Sequence, residues 1–457
     1  MWVGAVELDP QSMIEAALEG SASFQALSPD SSIWLGQLDL AWSEQWGSDR
    51  TAVGETVRYA ISPVVIAMWE ELAREMGWPD QSLSWQGLLT RAQTDPDFRW
   101  SHPSTSSASG LLATLAEFYA GAGKTRGLTI EDVQARKTLD YVAALEKTVR
   151  YYGEGNEPAI IERALQEGRD FLDAFVVQEQ MVVYFNMHRP KGRERLVALY
   201  PVEGALWEDH PLALLESAKP TPLQRQVFAR FRDYLLASEA QQLILQYGYR
   251  PADLSIPLDA SGSPLTLENG ATPSEPKTAL QIPNASIIQV VRDVWWYTKR
   301  QAALRVFLDQ IKGDEERVGL IQFASDVHLL IPLDTMGRNR KALEMAIDGL
   351  QAGGDTALLD AVYEAYRRLQ ELGDSERINA VVVMTDGQEN ASSLSLGSLT
   401  RKLNANSPAR VLIFCIAYGR DADMDTLQTI AEPSGGQVYR GDPETIRGLY
   451  KILSTYF

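Results

Sequence analysis

Short apolar runs alternate with helical patterns along most of the chain. Before residue 253, apolar runs at 3–8, 24–27 and 61–69 alternate with a helical pattern at 11–18. After residue 286 the same alternation is cleaner and covers 317–323, 341–350, 357–372, 380–384, 411–417 and 444–453. Strands and helices that alternate at this spacing predict βαβ units with parallel or mixed sheets. Both regions are therefore predicted to be α/β.

One long helix has clear start and stop signals. Thr221 and Pro222 precede a helical pattern that runs to residue 246, and Phe228 and Phe231 lie on its apolar face. A hydroxyl N-cap followed by proline is typical of a helix start, and Gly248 is typical of a helix end. The pattern predicts a single helix over 222–246.

A segment of different composition separates the two regions. Residues 253–286 contain five prolines among Ser, Gly and Asn, at Pro257, Pro264, Pro273, Pro276 and Pro283. Proline and glycine clusters of this kind are typical of linkers. The sequence therefore predicts a first domain at 1–252, a linker at 253–286 and a second domain at 287–457.

Composition excludes several classes of function. With 42 basic and 61 acidic residues among 457, the net charge is −19, which argues against a nucleic-acid partner. The single cysteine, Cys415, excludes an intrachain disulfide and a multi-cysteine metal site, and its apolar surroundings predict burial. No apolar run approaches the roughly 18 residues of a membrane span. The amino terminus lacks a basic stretch before an apolar core, so no signal peptide is predicted.

The second region contains four motifs in a characteristic order. They read RVGLIQFASD, LQAGGDTALLDAV, VVVMTDGQEN and FCIAYGRDADMDTLQTIAEPSGGQVYR, and together they cover about 150 residues. In order and spacing the region resembles the von Willebrand factor type A domain, which implies a Rossmann-like fold and a protein ligand. The resemblance also implies a Mg²⁺ ion at an adhesion site, with Thr356 and Asp386 in the second and third metal-binding loops.

The first βα unit of that family is missing before the helical pattern at 301–310. The expected Asp-x-Ser-x-Ser motif after a buried strand is absent, and the preceding residues read DVWWYTKR. The one Asp-x-Ser-x-Ser sequence, at 259–263, lies in the predicted linker, where a chance occurrence is the preferred interpretation. Without the first loop, Thr356 has the alternative role of a helix N-cap and Asp386 that of a turn residue.

The first region carries a serine-rich turn that leads into a helical pattern. Hydroxyls and free backbone N–H groups at a helix start can hold an anionic or polar ligand, and a simple N-cap is the alternative. Stretches such as FQALSPDSSIWL, AFVVQEQMVVYFN and FRDYLLASEAQQLILQYGYRPAD resemble the extracellular solute-binding proteins of ABC transport. This resemblance implies two lobes, again without the first βα unit. It also implies a ligand cleft lined by Ser28, Ser31, Ser32, Ser62, Ser104, Thr105, Ser106, Ser107, Ser109, Glu179 and Tyr184.

No sequence feature indicates an enzyme. His102 stands beside the serine-rich turn, but a Gly-x-Ser-x-Gly elbow, a Walker loop and a metal-protease helix are all absent. The prediction is a non-enzymatic protein that binds a small polar or anionic solute and engages a protein partner. The alternative is a purely structural interaction protein with an inactive cleft. The resemblance implies an extracellular, cell-surface or periplasmic location, and the missing signal peptide leaves a cytoplasmic one open. Trp295 and Trp296 are either core residues or an exposed adhesive patch.

Overall fold

The computed structural model describes residues 3–20, 22–47, 51–151, 157–350, 355–374, 376–385, 388–404, 410–417 and 422–440. The chain divides into two compact units, Met1–Trp295 and Trp296–Phe457. Helix α12, which spans Ala285–Gln310, contains the boundary between them. Sheets in both units are open, and the class is α/β as the sequence predicts. No helix in the described part of the chain has the length and apolarity needed to cross a membrane.

The first unit contains two sheets, one for each lobe. Its strands are β1 Ala26–Leu27, β2 Val53–Arg58, β3 Ala60–Trp69, β4 Trp100–Ser101, β5 Val149–Tyr151, β6 Ala174–Gln178, β7 Leu196–Leu199, β8 Trp207–Glu208, β9 Pro211–Leu215 and β10 Arg250–Pro251. The smaller sheet has the order β1-β9-β2, and the larger one has the order β10-β3-β6-β4-β5, with β7 and β8 also paired to β3. Strand β3 is buried along nearly its whole length and organises the larger lobe.

The helices of the first unit cover both sheets. They are α1 Pro10–Leu18, α2 Ile33–Trp46, α3 Glu70–Glu75, α4 Trp85–Thr94, α5 Ala108–Ala122, α6 Ile130–Gln134, α7 Arg136–Glu146, α8 Glu157–Glu167, α9 Glu179–His188, α10 Pro222–Leu235 and α11 Ser238–Gln246. Helix α5 is buried on almost every side, because Leu, Ala and Phe occupy nearly all its faces. Residues 3–8 form no strand, and Val3 and Val6 are exposed there.

The single helix predicted over 222–246 is wrong, because two helices occupy this range. Thr221 forms a capping box with Gln224 at the start of α10, as the sequence signals indicate. The helix then ends at Leu236, and the extended backbone of Ala237 starts α11. Gly248, at φ 88°, follows the end of α11.

The proline-rich segment at 253–286 packs onto the first unit. Leu265 and Ala271 are buried, and the backbone N–H groups of Ala198 and Ala205 donate to the carbonyls of Gly270 and Thr278. Apolar side chains interleaved with the prolines account for this packing. The boundary between the compact units falls further along the chain, after Trp295.

The second unit contains two separate sheets. An antiparallel pair is formed by β11 Arg317–Phe323 and β12 Val327–Thr335, and a parallel sheet has the order β13-β14-β15, with β13 Asn379–Thr385, β14 Val411–Ala417 and β15 Val438–Arg440. Its remaining helices are α13 Met336–Gly349, α14 Leu358–Leu372, α15 Leu396–Leu403 and α16 Met424–Ala431. Cys415 is fully buried, as predicted, and burial raises the pKa of its thiol to about 12.

No described strand joins β11 to β13. Helix α12 is continuous through residues 293–310, so this stretch supplies neither the strand nor the loop that the family places before its first helix. Phe307 of α12 packs against apolar residues of both sheets, and α14 contacts β11 and β13. The two sheets are therefore held together by helices instead of by strand hydrogen bonds.

Candidate functional site

Two neighbouring chain crossings join the lobes of the first unit. Tyr59 links β2 to β3, and Asp209 with His210 links β8 to β9. The backbone N–H of Tyr59 donates to the carbonyl of His210 over 3.3 Å, so the two crossings lie side by side. These three residues are called the lobe crossing below.

The predicted serines after β1 lie at the lobe crossing. The Ser28 and Tyr59 hydroxyls are 3.0 Å apart, and Ser28 is exposed. Asp209 accepts a hydrogen bond from the Ser32 backbone N–H over 2.7 Å and a longer one, 3.5 Å, from the Ser31 hydroxyl. The smaller lobe therefore presents two hydroxyls and one backbone N–H to the residues that connect it to the larger lobe.

Two serines of the larger lobe approach the same place. Ser62 lies near the start of β3, and its hydroxyl accepts a hydrogen bond from the backbone N–H of Gln180 over 3.1 Å. The Ser109 hydroxyl donates to the carboxylate of Glu208, the residue before Asp209. Ser62 also pairs with Glu208 across strands β3 and β8, so serines from both lobes lie at the crossing or beside the residue that precedes it.

The other hydroxyls of the serine-rich turn organise the start of α5. Ser107 is the N-cap, and its hydroxyl accepts a hydrogen bond from the Gly110 backbone N–H over 3.2 Å. The hydroxyls of Ser104 and Ser106 are 2.5 Å apart. Thr105 is fully buried, and its hydroxyl has no hydrogen-bond partner among the described residues. The capping alternative thus holds for Ser107.

Two carboxylates, those of Asp209 and Asp30, lie at the N-terminal ends of helices near the crossing. Asp209 is bonded to the Ser32 N–H at the start of α2. Asp30 accepts hydrogen bonds from the Ser31 N–H and the Trp34 indole, and the amide of Ala108 at the start of α5 also stabilises its charged form. Burial nevertheless raises the pKa of Asp30. No described Lys or Arg forms an ion pair with either carboxylate, so the negative charge of Asp209, which acts on the neighbouring His210, has no such partner.

Glu179 and Tyr184 have different surroundings. The Glu179 carboxylate is fully buried and accepts two hydrogen bonds of 2.8 Å from Arg250 and another from the Tyr200 hydroxyl. Burial and the negative charge of Glu179 raise the pKa of Tyr200. Tyr184 is 40% exposed on α9, and its ring lies 4.3 Å from that of His188. Ligand binding by all the residues named for the cleft stays a prediction.

Sequence reasoning missed the three residues of the crossing, Tyr59, Asp209 and His210, and the neighbouring Asp30. The available signal was weak, because each lies at a strand end among ordinary polar residues. His210 has a positive φ of 32°, and its Nε2 is 3.2 Å from the amide oxygen of Gln178. Burial lowers the pKa of His210 to about 4, against the opposing effect of the Asp209 charge.

In the second unit, Thr356 lies beside the loop that follows β13. Its backbone N–H donates to the Asn390 side chain over 2.6 Å, and its carbonyl accepts from the Asn390 N–H over 3.2 Å. Helix α14 has Ala357 at its N-cap without a side-chain hydrogen bond, so the capping alternative for Thr356 is wrong. Asp386 lies outside the described residues.

The described residues around Thr356 do not form a complete Mg²⁺ site. Magnesium requires near-octahedral oxygen coordination, and this region offers no cluster of three ligating side chains in the described part of the chain. Continuous helix through residues 293–300 also leaves no place there for the first metal loop. Magnesium binding by Thr356 and Asp386 stays a prediction, and no functional step is derived from it.

A surface pocket of about 500 Å³ lies elsewhere in the first unit. It is lined by Trp69, Glu167, Arg169, Asp170, Pro190, Lys191, Gly192, Arg193 and Glu194. None of the residues predicted for the ligand cleft belongs to it.

Two protein-family models match the chain. The model described as bacterial extracellular solute-binding protein matches residues 5–250, and the model described as von Willebrand factor type A domain matches residues 291–450. No curated protein matches the chain.

Solved structures similar to the chain fall into the same two groups. A von Willebrand factor type A protein from Catenulispora acidiphila is 20% identical, with 34% of this chain and 37% of that chain covered and a TM-score of 0.29. A periplasmic thiamin binding protein is 13% identical, with 64% and 84% covered and a TM-score of 0.43. An ABC transporter solute-binding protein from Thermotoga lettingae, bound with α-D-tagatose, is 12% identical, with 64% and 83% covered and a TM-score of 0.46. The chain thus spans little more than a third of the Catenulispora chain.

Proposed function

The chain belongs to the family of bacterial extracellular solute-binding proteins and carries a von Willebrand factor type A domain after that module, and from this premise we propose that it captures a small polar solute at the lobe crossing. The family model matches more than half of the chain, which supports a binding protein. The solute and the protein partner belong to the proposal.

The observation that carries the proposal is the meeting of polar groups from both lobes at and beside the lobe crossing. Ser28, Ser31 and Ser32 come from the smaller lobe, and Ser62 and Ser109 come from the larger one. A solute bound between lobes needs polar groups on both sides to fix its orientation. Ser28 and Ser32, together with Tyr59 and Asp209 of the crossing, retain access to solvent and are assigned to first contact.

The charge at the crossing favours a neutral or cationic solute over an anion. Helix starts attract anions through their free N–H groups. Here Asp209 and Asp30 already stand at the starts of α2 and α5. A second anion would meet like charge, whereas hydroxyl or ammonium groups would find acceptors.

The second unit is assigned to a protein partner. The match of residues 291–450 to the von Willebrand factor type A model supports this assignment. The proposal includes a non-enzymatic role and an extracellular or periplasmic location, both in keeping with the family description.

The test is a thermal-shift screen of the full chain against three groups of compounds. These are neutral sugars and polyols, primary and quaternary amines, and the oxyanions sulfate, phosphate and molybdate. The proposal predicts that a compound of the first two groups raises the melting temperature. A rise with oxyanions alone would contradict the solute class, and no rise with any compound would favour an inactive cleft.

Two tyrosine variants test whether the compound that raises the melting temperature binds at the lobe crossing. Tyr59→Phe removes the hydroxyl that faces Ser28, and we expect it to weaken binding of the hit about 5–12-fold, because one hydrogen bond contributes roughly 1–1.5 kcal/mol. Tyr234→Phe removes an exposed hydroxyl on α10 that takes no part in the contact between Ser28 and Tyr59, and should leave the affinity unchanged. Equal affinities for both variants would place the solute elsewhere.

A further inference from the structure

A second polar cluster lies deep in the larger lobe, and neither the solute proposal nor the family matches account for it. It consists of His102 after β4, Glu117 on α5 and Glu146 at the end of α7. All three side chains are 0% exposed. Placing two carboxyls and an imidazole in a dry interior is costly unless their charges are balanced.

The distances within the cluster suit direct coordination of a metal ion. The His102 Nε2 lies 3.3 Å from Glu146 Oε1 and 3.8 Å from Glu117 Oε1. In a tetrahedral site with bonds of about 2.1 Å, neighbouring ligand atoms are separated by about 3.4 Å. One nitrogen and two carboxylate oxygens, all within 4.8 Å of one another, therefore lie close enough for small shifts to place them around a zinc-sized ion.

The orientation of the histidine supports the same role. His102 Nδ1 is 2.8 Å from the carbonyl of Pro103, and because a carbonyl can only accept, Nδ1 carries the proton. With the proton on Nδ1, Nε2 is the ring atom that faces the two carboxyl groups and is available as a metal ligand. Metal-ligating histidines commonly donate their second ring N–H to a backbone carbonyl in this way.

Glu117 supplies the independent observation that points to a ligand. Neither of its carboxylate oxygens accepts a hydrogen bond from any described residue, although the side chain is completely buried. Glu146, by contrast, accepts a hydrogen bond from the indole N–H of Trp295. The rings of Trp100 and Trp295 lie 5.9 and 6.0 Å from that of His102 and form a dry wall around the cluster.

We propose that His102 Nε2 and the carboxylates of Glu117 and Glu146 form a buried structural site for a divalent transition-metal ion of the Zn²⁺ class. Two carboxylates and a neutral imidazole carry a charge of −2, which a divalent ion balances. Imidazole with carboxylate oxygens suits zinc and its neighbours better than Mg²⁺. The ion would tie β4, α5 and α7 together.

The competing account is a shared proton. Burial, followed by the charge of Glu146, raises the pKa of Glu117 far above its ordinary range, so a neutral Glu117 beside Glu146 would also reduce the charge. The two accounts differ in metal content and in the response of the folded chain to zinc.

The experiment measures zinc in the full chain after expression in zinc-supplemented medium and desalting, by inductively coupled plasma mass spectrometry. We expect about one zinc ion per chain, because a fully enclosed ion is acquired on folding and retained. His102→Gln and Glu117→Gln should lose it, whereas His188→Gln, which removes an exposed histidine on α9, should keep it. A wild-type chain without zinc, or variants that retain it, would overturn the proposal.

Refolding supplies a second readout that does not depend on how well the variants are produced. The chain is unfolded with chelator and refolded with or without Zn²⁺, and its melting temperature is compared. The proposal predicts a higher melting temperature with zinc for the wild-type chain and no difference for Glu117→Gln. Glu117→Gln should itself fold, because it removes one of two neighbouring buried carboxyls. An equal zinc response in both chains, or none in either, would contradict the metal site.

Discussion

At the scale of single residues, the ionisable groups of the lobe crossing differ in burial: Tyr59 and Asp209 are half-buried, whereas His210 is kept from water. His210 is the clearest case: it is buried, packs edge-on against the ring of Tyr249 at 4.9 Å, and has Gln178 as its hydrogen-bond partner. Burial favours the neutral ring, which explains why its pKa falls to about 4. The crossing should therefore be sensitive to acid.

The pH dependence of stability follows from that shift. The unfolded histidine has a pKa of 6.5, so the unfolded chain binds this proton first as the pH falls. Above about pH 6.5, the neutral His210 makes its full contribution to the free energy of unfolding. This contribution, about 3 kcal/mol, is lost as the pH falls from 6.5 to about 4. Urea unfolding at several pH values should show a steeper acid loss for the wild-type chain than for His210→Asn.

Asn is a suitable replacement because it tolerates the positive φ of this position better than most residues. Acidic groups whose pKa is raised by burial, such as Asp30, favour the folded state at lower pH. They are present in both the wild-type chain and His210→Asn, so their effect cancels when the two pH profiles are compared. Parallel pH profiles for the two chains would show that His210 is not the titrating group.

At this scale the family resemblance singled out hydroxyls and passed over carboxylates, and ligand binding by either group stays a prediction. Ser31, Ser32, Ser62 and Ser109 stand out because a resemblance aligns them, and the structure does gather them at the crossing. Asp209 carries no local pattern, and its role depends on β8 and β9 meeting the start of α2, a contact between residues 177 positions apart.

At the scale of elements, the close approach of α5 to the serine-rich turn is the tightest feature of the site. A Cβ built on Gly110 would lie 2.0 Å from the carbonyl oxygen of Ser104 and 2.4 Å from that of Pro103. Only glycine allows the turn to fold back onto the first turn of the helix. The close contact between the turn and α5 also accompanies two further contacts: Ser109 with Glu208, and His102 with Glu117 of α5.

Gly110→Ala should therefore destabilise the first unit by about 1–3 kcal/mol, the usual cost of overpacking, because backbone atoms would have to move. Chemical unfolding followed by tryptophan fluorescence measures this loss. Gly36→Ala on α2 is the matched control, since its Cβ would meet only Ala285 at 3.9 Å. We expect this control to be neutral or slightly stabilising. Similar losses of unfolding free energy for Gly110→Ala and Gly36→Ala would show that the short distance between Gly110 and the serine-rich turn does not require glycine.

Elements were predicted well where periodicity alone determines them and poorly where tertiary contacts decide. Strands β11 and β14 occupy the ranges that the apolar runs indicate. The break between α10 and α11 was missed, because residues 236–237 carry no proline or glycine to mark it. In the second unit, no described strand connects the two sheets. Helix α12 occupies the residues where the family resemblance implies a strand, in agreement with the absence of the Asp-x-Ser-x-Ser motif from this stretch.

At the scale of the whole molecule, two compact units carry two different family signatures. The boundary after Trp295 lies close to the start of the second family match at residue 291. Trp295 is buried in the first unit and bonded to Glu146, so the exposed-patch interpretation of this residue is wrong. The side chain of Trp296 lies outside the described part of the chain.

The central claim is that the first unit holds a small solute at the lobe crossing. The most direct measurement is native mass spectrometry of the full chain purified from cells, repeated after unfolding, dialysis and refolding. The account predicts a small neutral or cationic adduct that is lost on refolding, returns when the purified compound is added, and is weakened by Tyr59→Phe but not by Tyr234→Phe. A chain that never carries an adduct, or one that carries an oxyanion unaffected by Tyr59→Phe, would contradict it.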